Sequence, residues 1–344
     1  MELEKEGDLM DIPYDPMAFD LQVPPSLPKP YIPPENPLTV AGVELGHRLF
    51  FDPILSADGS MSCASCHDPL LSFSDGLAFS PGVDGIEGPR SSMALLNIAY
   101  AEKGLFWDGR VNTLEEQALL PIEDPIELHE SWPNVIQKFR DHPRYPTLFR
   151  QAFGIADRSE ITKELAAKAI AQYERTLISG DSKFDRVLLG EEEFTDDEFI
   201  GWAMFFDQPA ARGRDAECGH CHLDPLMTTN DYFNNGLEEL DDLNDFPDKG
   251  RGIVTGNIFD NGTFRATTLR NVALTAPYMH DGRFKTLDEV IDHYSSGGKD
   301  SPNKDVLIID VNLSEEERRQ LKAFLHTLTD TSYFNNPLFR APVD

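Results

Sequence analysis

Cysteine, tryptophan, basic charge and long apolar runs are all scarce in this chain. No run of 18 apolar residues occurs, so nothing in the sequence reads as a membrane-spanning helix. Against 60 acidic residues there are only 30 basic ones, a formal net charge of −30. That balance argues against nucleic acid as a partner. It suits a basic protein partner steered by the field, and it equally suits a merely solvated or salt-adapted surface. The opening Met1-Glu-Leu-Glu-Lys-Glu is acidic and lacks the apolar stretch of a secretory signal. Either the chain is cytoplasmic or a signal has been removed or replaced. Strand signals are few. The four cysteines all fall in two short motifs, leaving none for a disulfide.

What is present organises into helices around those motifs. The length of 344 residues suffices for two ordinary domains. Residues 1–36, rich in Pro and Asp and without periodicity, read as an extended arm. A first unit is expected over 37–180 and a second over 181–344, including a tail. Capping signals place helices after Thr113-x-x-Glu116 (ending at Pro121), Thr195-x-x-Glu198, Thr286-x-x-Glu289 and Ser314-x-x-Glu317. An amphipathic helix is expected over 161–178, with Leu165, Ile170, Tyr173 and Leu177 near one face. The fold class expected is mainly α, with few strands.

The motifs are Cys63-Ala-Ser-Cys66-His67 and Cys218-Gly-His-Cys221-His222, 155 residues apart. In Cys-x-x-Cys-His the thiols add to the haem vinyl groups and the histidine becomes the proximal iron ligand. A lone Cys-x-x-Cys is also compatible with a zinc or dithiol redox site. Zinc, however, would call for two pairs close together without a trailing histidine. Two c-type haems are therefore expected, one in each of two cytochrome c-like haem domains packed together. Attachment of this kind takes place in an oxidising compartment outside the cytoplasm, so the mature protein is expected in the periplasm.

The segment from Leu45-Gly-His-Arg-Leu-Phe-Phe-Asp-Pro to Cys63-Ala-Ser-Cys-His-Asp resembles the first haem segment of the bacterial dihaem cytochrome c peroxidase and MauG family. Phe106-Trp-Asp-Gly-Arg-Val-Asn-Thr-Leu-Glu-Glu-Gln, Leu269-Arg-Asn-Val and Thr275-Ala-Pro-Tyr-Met-His-Asp-Gly are similar too, in the family's order. The likeness covers roughly residues 40–330.

That resemblance implies roles for individual residues. Trp107 matches the tryptophan between the two haems; as a bare feature it would read as core packing. Gln117, Pro121 and Glu127 match residues over the open face of the first haem, with Glu127 as proton carrier for peroxide cleavage. Without the resemblance Glu127 is a solvated acid in an acidic loop, and His129 is a neighbour able to assist. No histidine lies between His67 and His129. The loop ligand that caps the first haem in many relatives is thus missing, and that iron is expected to be open, with His67 its only protein ligand.

At the second haem, opposite His222, the family's ligand position falls on Tyr294, where MauG also has tyrosine. Met279 is the other candidate, within a motif where the family's ligand does not lie. A phenolate favours ferric and higher states, whereas a thioether favours ferrous iron. The carbonyls of Thr275 and Pro277 match a Ca²⁺ site, so one Ca²⁺ is expected between the haems, although the site's asparagine falls in Arg90-Ser-Ser-Met. The surface tryptophan of MauG is here Ala216, leaving Trp202 and Trp132 as the remaining tryptophans.

The function implied is that of a MauG-like enzyme, a class that includes the methanobactin-associated members. Hydrogen peroxide would generate a high-valent, bis-ferryl type state that oxidises a Trp or Tyr of a partner protein. The alternatives are a cytochrome c peroxidase drawing electrons from a small cytochrome or copper protein, and a non-catalytic dihaem electron carrier.

Overall fold

The computed structural model describes residues 7–211 and 215–343. It is mainly helical. Among the described residues the only strands are β1 (Tyr232–Phe233) and β2 (Phe264–Arg265), which pair antiparallel with Tyr232 opposite Arg265.

Two helix crossings of the same kind organise the chain. Helix α1 (Val40–Phe51) crosses α5 (Lys163–Glu174), and α7 (Asp196–Phe205) crosses α10 (Glu315–Thr327). Between them in sequence lie α2 (Leu114–Glu123), α3 (Trp132–Asp141), α4 (Tyr145–Phe153) and α6 (Lys183–Leu188); α8 (Arg251–Thr255) and α9 (Leu287–Ser295) precede α10. Each crossing closes on a glycine. A Cβ on Gly46 would stand 1.9 Å from the Ala169 carbonyl oxygen, and one on Gly201 would stand 2.1 Å from that of Gln320. Only a residue without a side chain allows the helices so close. Each glycine lies 17 residues before the first cysteine of its motif.

The apolar residues form one cluster around Leu45, Leu49, Phe139, Phe149 and Ile170, and a second around Phe184, Met204, Phe205 and Phe324. The arm is extended but docked: Leu9 enters the first cluster, and Leu27 packs with Tyr100 and Ile178. The tail returns to the first motif's side of the molecule. Tyr333 and Phe339 join Phe50, Phe73 and Tyr173, while the Tyr173 hydroxyl donates to the Leu338 carbonyl at 3.0 Å.

All four expected capping signals open helices, each as a reciprocal box. Two boundaries differ from expectation. Helix α2 does not end at Pro121 but runs on to Glu123. Ile122 is buried in the first core, and the Asp124 N–H closes the turn on the Leu120 carbonyl at 3.1 Å. That anchorage outweighs the bond a proline withholds inside a helix. Helix α5 is shorter than 161–178, because Asn97 captures the chain beyond it. The Asn97 N–H donates to the Leu177 carbonyl, and its side-chain oxygen accepts from the Ser179 N–H.

Arg270 of the Leu-Arg-Asn-Val segment makes a fully buried two-point ion pair with Asp185, at 2.9 and 2.8 Å. Burial works against the Asp185 carboxylate, but the guanidinium holds it below its usual range.

Candidate active site

Each motif forms one wall of a cavity. Cys63, Cys66 and His67 line one of about 900 Å³, and Cys218, Cys221 and His222 line one of about 260 Å³. The histidines are held alike. His67 Nδ1 meets the Phe73 carbonyl at 2.8 Å, and His222 Nδ1 meets that of Met227 at 3.1 Å. Phe73 and Met227 are both in the left-handed backbone region, which turns their carbonyls inward. With Nδ1–H donated to a carbonyl, Nε2 carries the free lone pair, as a metal-binding imidazole requires. Burial lowers the pKa of both rings, that of His222 to about 4, so both are neutral. Two thiols and a neutral imidazole on an apolar wall fit a covalently attached haem at each site.

The first cavity collects the residues expected over an open haem face: Trp107, Gln117, Pro121 and Glu127 all line it. Burial, reinforced by Asp124 and partly offset by Arg110, pushes the Glu127 carboxyl up to about 7. That value suits a group which must take a proton and return it. His129, two residues on, does not join the lining; its ring faces Asp84 at 2.6 Å at the surface.

Trp107 belongs to both linings. Leu105 and Val111 pair as an isolated bridge, closing a tight loop with Trp107 near its tip. Gly109 allows that loop to press on Tyr232, whose hydroxyl would lie 1.9 Å from an added Cβ. The indole N–H donates to the Ser91 carbonyl at 2.9 Å, and the Trp107 carbonyl accepts from the Arg265 N–H. The ring thus stands in the partition between the cavities.

In the second cavity both candidate ligands are present. Tyr294, from the last turn of α9, and Met279 line it together with His222. The Asn235 amide donates to the Tyr294 hydroxyl oxygen at 3.0 Å and to the Met279 sulfur at 3.3 Å. Burial pushes the phenol up to about 12, an effect the Asn235 hydrogen bond opposes. Thr275 and Pro277 line the same cavity. Among the described residues no donor reaches their carbonyls. The expected side-chain ligand for Ca²⁺ is absent there. The Ser91 hydroxyl donates to the Met279 carbonyl, Ser92 to that of Cys66, and Arg90 is paired with Asp108 and Asp248. Two unpartnered carbonyls thus face the cavity at the positions expected for Ca²⁺, with no asparagine in the 90–93 segment. Ala216 is buried in the cavity wall, so no surface group stands at that position. Trp132 is in the first core, and Trp202 packs among Phe194, Phe199 and Phe206.

Four residues of these walls are absent from the sequence-based expectation: Asn235, Arg265, His280 and Glu174. His280 lines both cavities, stacked on Phe264 at 3.7 Å. Glu174 lines the first, has one carboxyl oxygen without a partner, and is pushed up to about 8 by burial. The signal for Glu174 was available: an acid in the apolar run Ala-Ile-Ala-Gln-Tyr-Glu is out of place unless a site needs it.

A family model described as di-haem cytochrome c peroxidase matches residues 40–193. The methylamine utilization protein MauG of Methylorubrum extorquens is 38% identical over 89% of this chain and 82% of its own length. The cytochrome c551 peroxidase of Nitrosomonas europaea is 34% identical, over 87% of this chain and 82% of its own. The crystal structure of a MauG-like protein associated with microbial copper homeostasis superposes with a TM-score of 0.84 at 34% identity, covering 94% of this chain and 99% of that one. With two haem-fitting cavities, one tryptophan between them and relatives of this closeness, the chain belongs to the dihaem cytochrome c peroxidase and MauG family of haem-dependent oxidoreductases, whose members carry two c-type haems.

Proposed function

We propose that this protein is a MauG-like enzyme, which uses hydrogen peroxide to drive oxidation of a Trp or Tyr residue on a partner protein. The observation that carries this reading is Tyr294, in the same cavity as His222 and at hydrogen-bond distance from Asn235. In the roles we assign, Cys63, Cys66 and His67 hold the first haem; Cys218, Cys221, His222 and Tyr294 hold the second. When bound, the haems would supply the redox chemistry that peroxide reduction requires.

The polypeptide manages protons and access. Glu127, poised near neutrality, accepts the proton of the near peroxide oxygen and returns it to the departing one. Gln117 and Pro121 shape the space beside it. Trp107, in the partition, is the relay between the two sites. Tyr294 as a phenolate would offer a bound iron an oxygen ligand of the kind that favours oxidised states, which would suit storage of oxidising equivalents and not receipt of electrons. The net charge of −30 favours a basic partner surface. Thioether attachment of haem places the mature protein in the periplasm; no helix among the described residues is long and apolar enough to cross a membrane. The carbonyls of Thr275 and Pro277 would hold a Ca²⁺ ion through hard oxygen ligands.

A second reading is favoured by Met279, which reaches the same Asn235 amide. With a thioether on the second iron the protein would be a cytochrome c peroxidase, fed by a small electron carrier. Peroxide titration of the ferric holoprotein, followed by optical and Mössbauer spectra, separates the two. The MauG-like reading expects both haem environments to change with one equivalent of peroxide and no prior reduction. A response that needs one haem reduced first returns the protein to the peroxidases.

A further inference from the structure

Four arginines line the two cavities, and three of them have carboxylate partners. Arg90 pairs with Asp108 and Asp248, Arg110 with Asp108, and Arg283 with Asp281 and Glu238. Arg265 is different. It is only 6% exposed, yet no Asp or Glu among the described residues pairs with it, in a chain with twice as many acidic as basic residues. One terminal nitrogen, Nη1, donates to the Gly104 carbonyl at 2.7 Å, and Nη2 has only the Met93 sulfur at 3.9 Å. Its Nε–H has no partner at all.

A buried, unpaired guanidinium is expensive, and proteins bury charges when they are paired. Desolvation here is severe enough to pull the Arg265 pKa down to about 10. Arg150, also buried without a carboxylate, is satisfied by the carbonyls of Ile12, Gly154 and Ile155; Arg265 has a single carbonyl, so its remaining donors call for an acceptor from outside the polypeptide. Arg265 lines both cavities and, through its backbone N–H, holds the carbonyl of Trp107. The anions that enter those cavities with the two c-type haems are their propionate carboxylates, and a guanidinium fork matches a carboxylate at two points.

We propose that Arg265 anchors a haem propionate in the partition beside Trp107, completing its charge only in the holoprotein. Either haem would supply the carboxylate, because Arg265 lines both cavities. A cation at that position disfavours the ferric state of the haem whose propionate it holds, so it helps set the difference in potential between the two sites. Arg265 is thus a binding and positioning residue; it is not assigned to the proton chemistry.

The test is Arg265→Met in the holoprotein, read by spectroelectrochemical titration of each haem and by the propionate bending bands in resonance Raman spectra. The expected result is a lower reduction potential for one haem, with a new pH dependence as its propionate loses its partner, and a shift of that haem's propionate band. The haem that responds identifies the source of the carboxylate. If Arg265→Met does not accumulate, Arg265→Lys serves: it keeps the charge and loses the fork, so the propionate band moves while both potentials stay close to the parent values. Potentials and propionate bands unchanged in Arg265→Met overturn the proposal, as do unchanged bands in Arg265→Lys.

Discussion

The side-chain amide of Asn235 donates to the phenol oxygen of Tyr294 at 3.0 Å. A hydrogen bond to the charged form of an acid lowers its pKa, so this amide opposes the burial that pushes the phenol up to about 12. As an iron ligand Tyr294 would be a phenolate, and Asn235 is the group that helps keep it one. Tyr294→His should leave the second haem low-spin, since a neutral nitrogen replaces the oxygen. It should raise that haem's potential and abolish oxidation of the partner protein, while peroxide still reacts at the first haem. Potentiometry with a partner-oxidation assay checks this; an unmoved potential would mean that Met279 is the ligand.

Glu127 should set the pH profile of the peroxide reaction. Its carboxyl is pushed up to about 7, and it acts as a base only when deprotonated. The stopped-flow rate with peroxide should therefore rise as pH increases through about 7, then level off. Glu127→Gln should slow the reaction by about 10²-fold, the usual worth of a positioned acid–base group, and erase the inflection. Both haems should remain attached. A variant with the parent rate would move the proton shuttle to another acid of the same lining, Asp124 or Glu174.

The ferric protein as isolated should show one high-spin and one low-spin haem by electron paramagnetic resonance at neutral pH. The loop from His67 to His129 has no histidine, and the only other imidazole in the first cavity's lining, His280, is stacked face to face on Phe264. Two low-spin signals would show that some side chain swings onto the first iron.

The two glycine crossings should be equally intolerant of a methyl group. Gly46→Ala and Gly201→Ala each drive a Cβ against a backbone carbonyl, which a rotamer change cannot relieve. Each should cost at least the ~1–3 kcal/mol typical of overpacking, with a lower thermal midpoint and less haem incorporated. A midpoint equal to the parent's, with full haem content, would show that the helices can slide apart freely.

Much of this protein is written locally. The two Cys-x-x-Cys-His motifs carry their chemistry within five consecutive residues, so they could be read without a fold. The helix starts at Thr113, Thr195, Thr286 and Ser314 were equally legible, because a capping box satisfies its own N–H groups over three residues. The end of α2 was not, since the proline rule considers only the local backbone, and Ile122 is held by a core assembled from distant residues.

The partition between the cavities lies at the other extreme. It exists because Trp107 meets Ser91, Arg265 reaches the Gly104 carbonyl, and Asn235 meets Tyr294 and Met279. Those partners lie between 16 and 161 residues apart in the chain. No periodicity or short motif encodes such contacts; they arise only when two helix crossings bring separate walls face to face. The sequence determined what can bind haem and where its helices begin. Tertiary packing alone decided which tryptophan stands in both walls, that one amide serves both candidate ligands, and that Arg265, alone among the arginines lining the cavities, is left without a carboxylate.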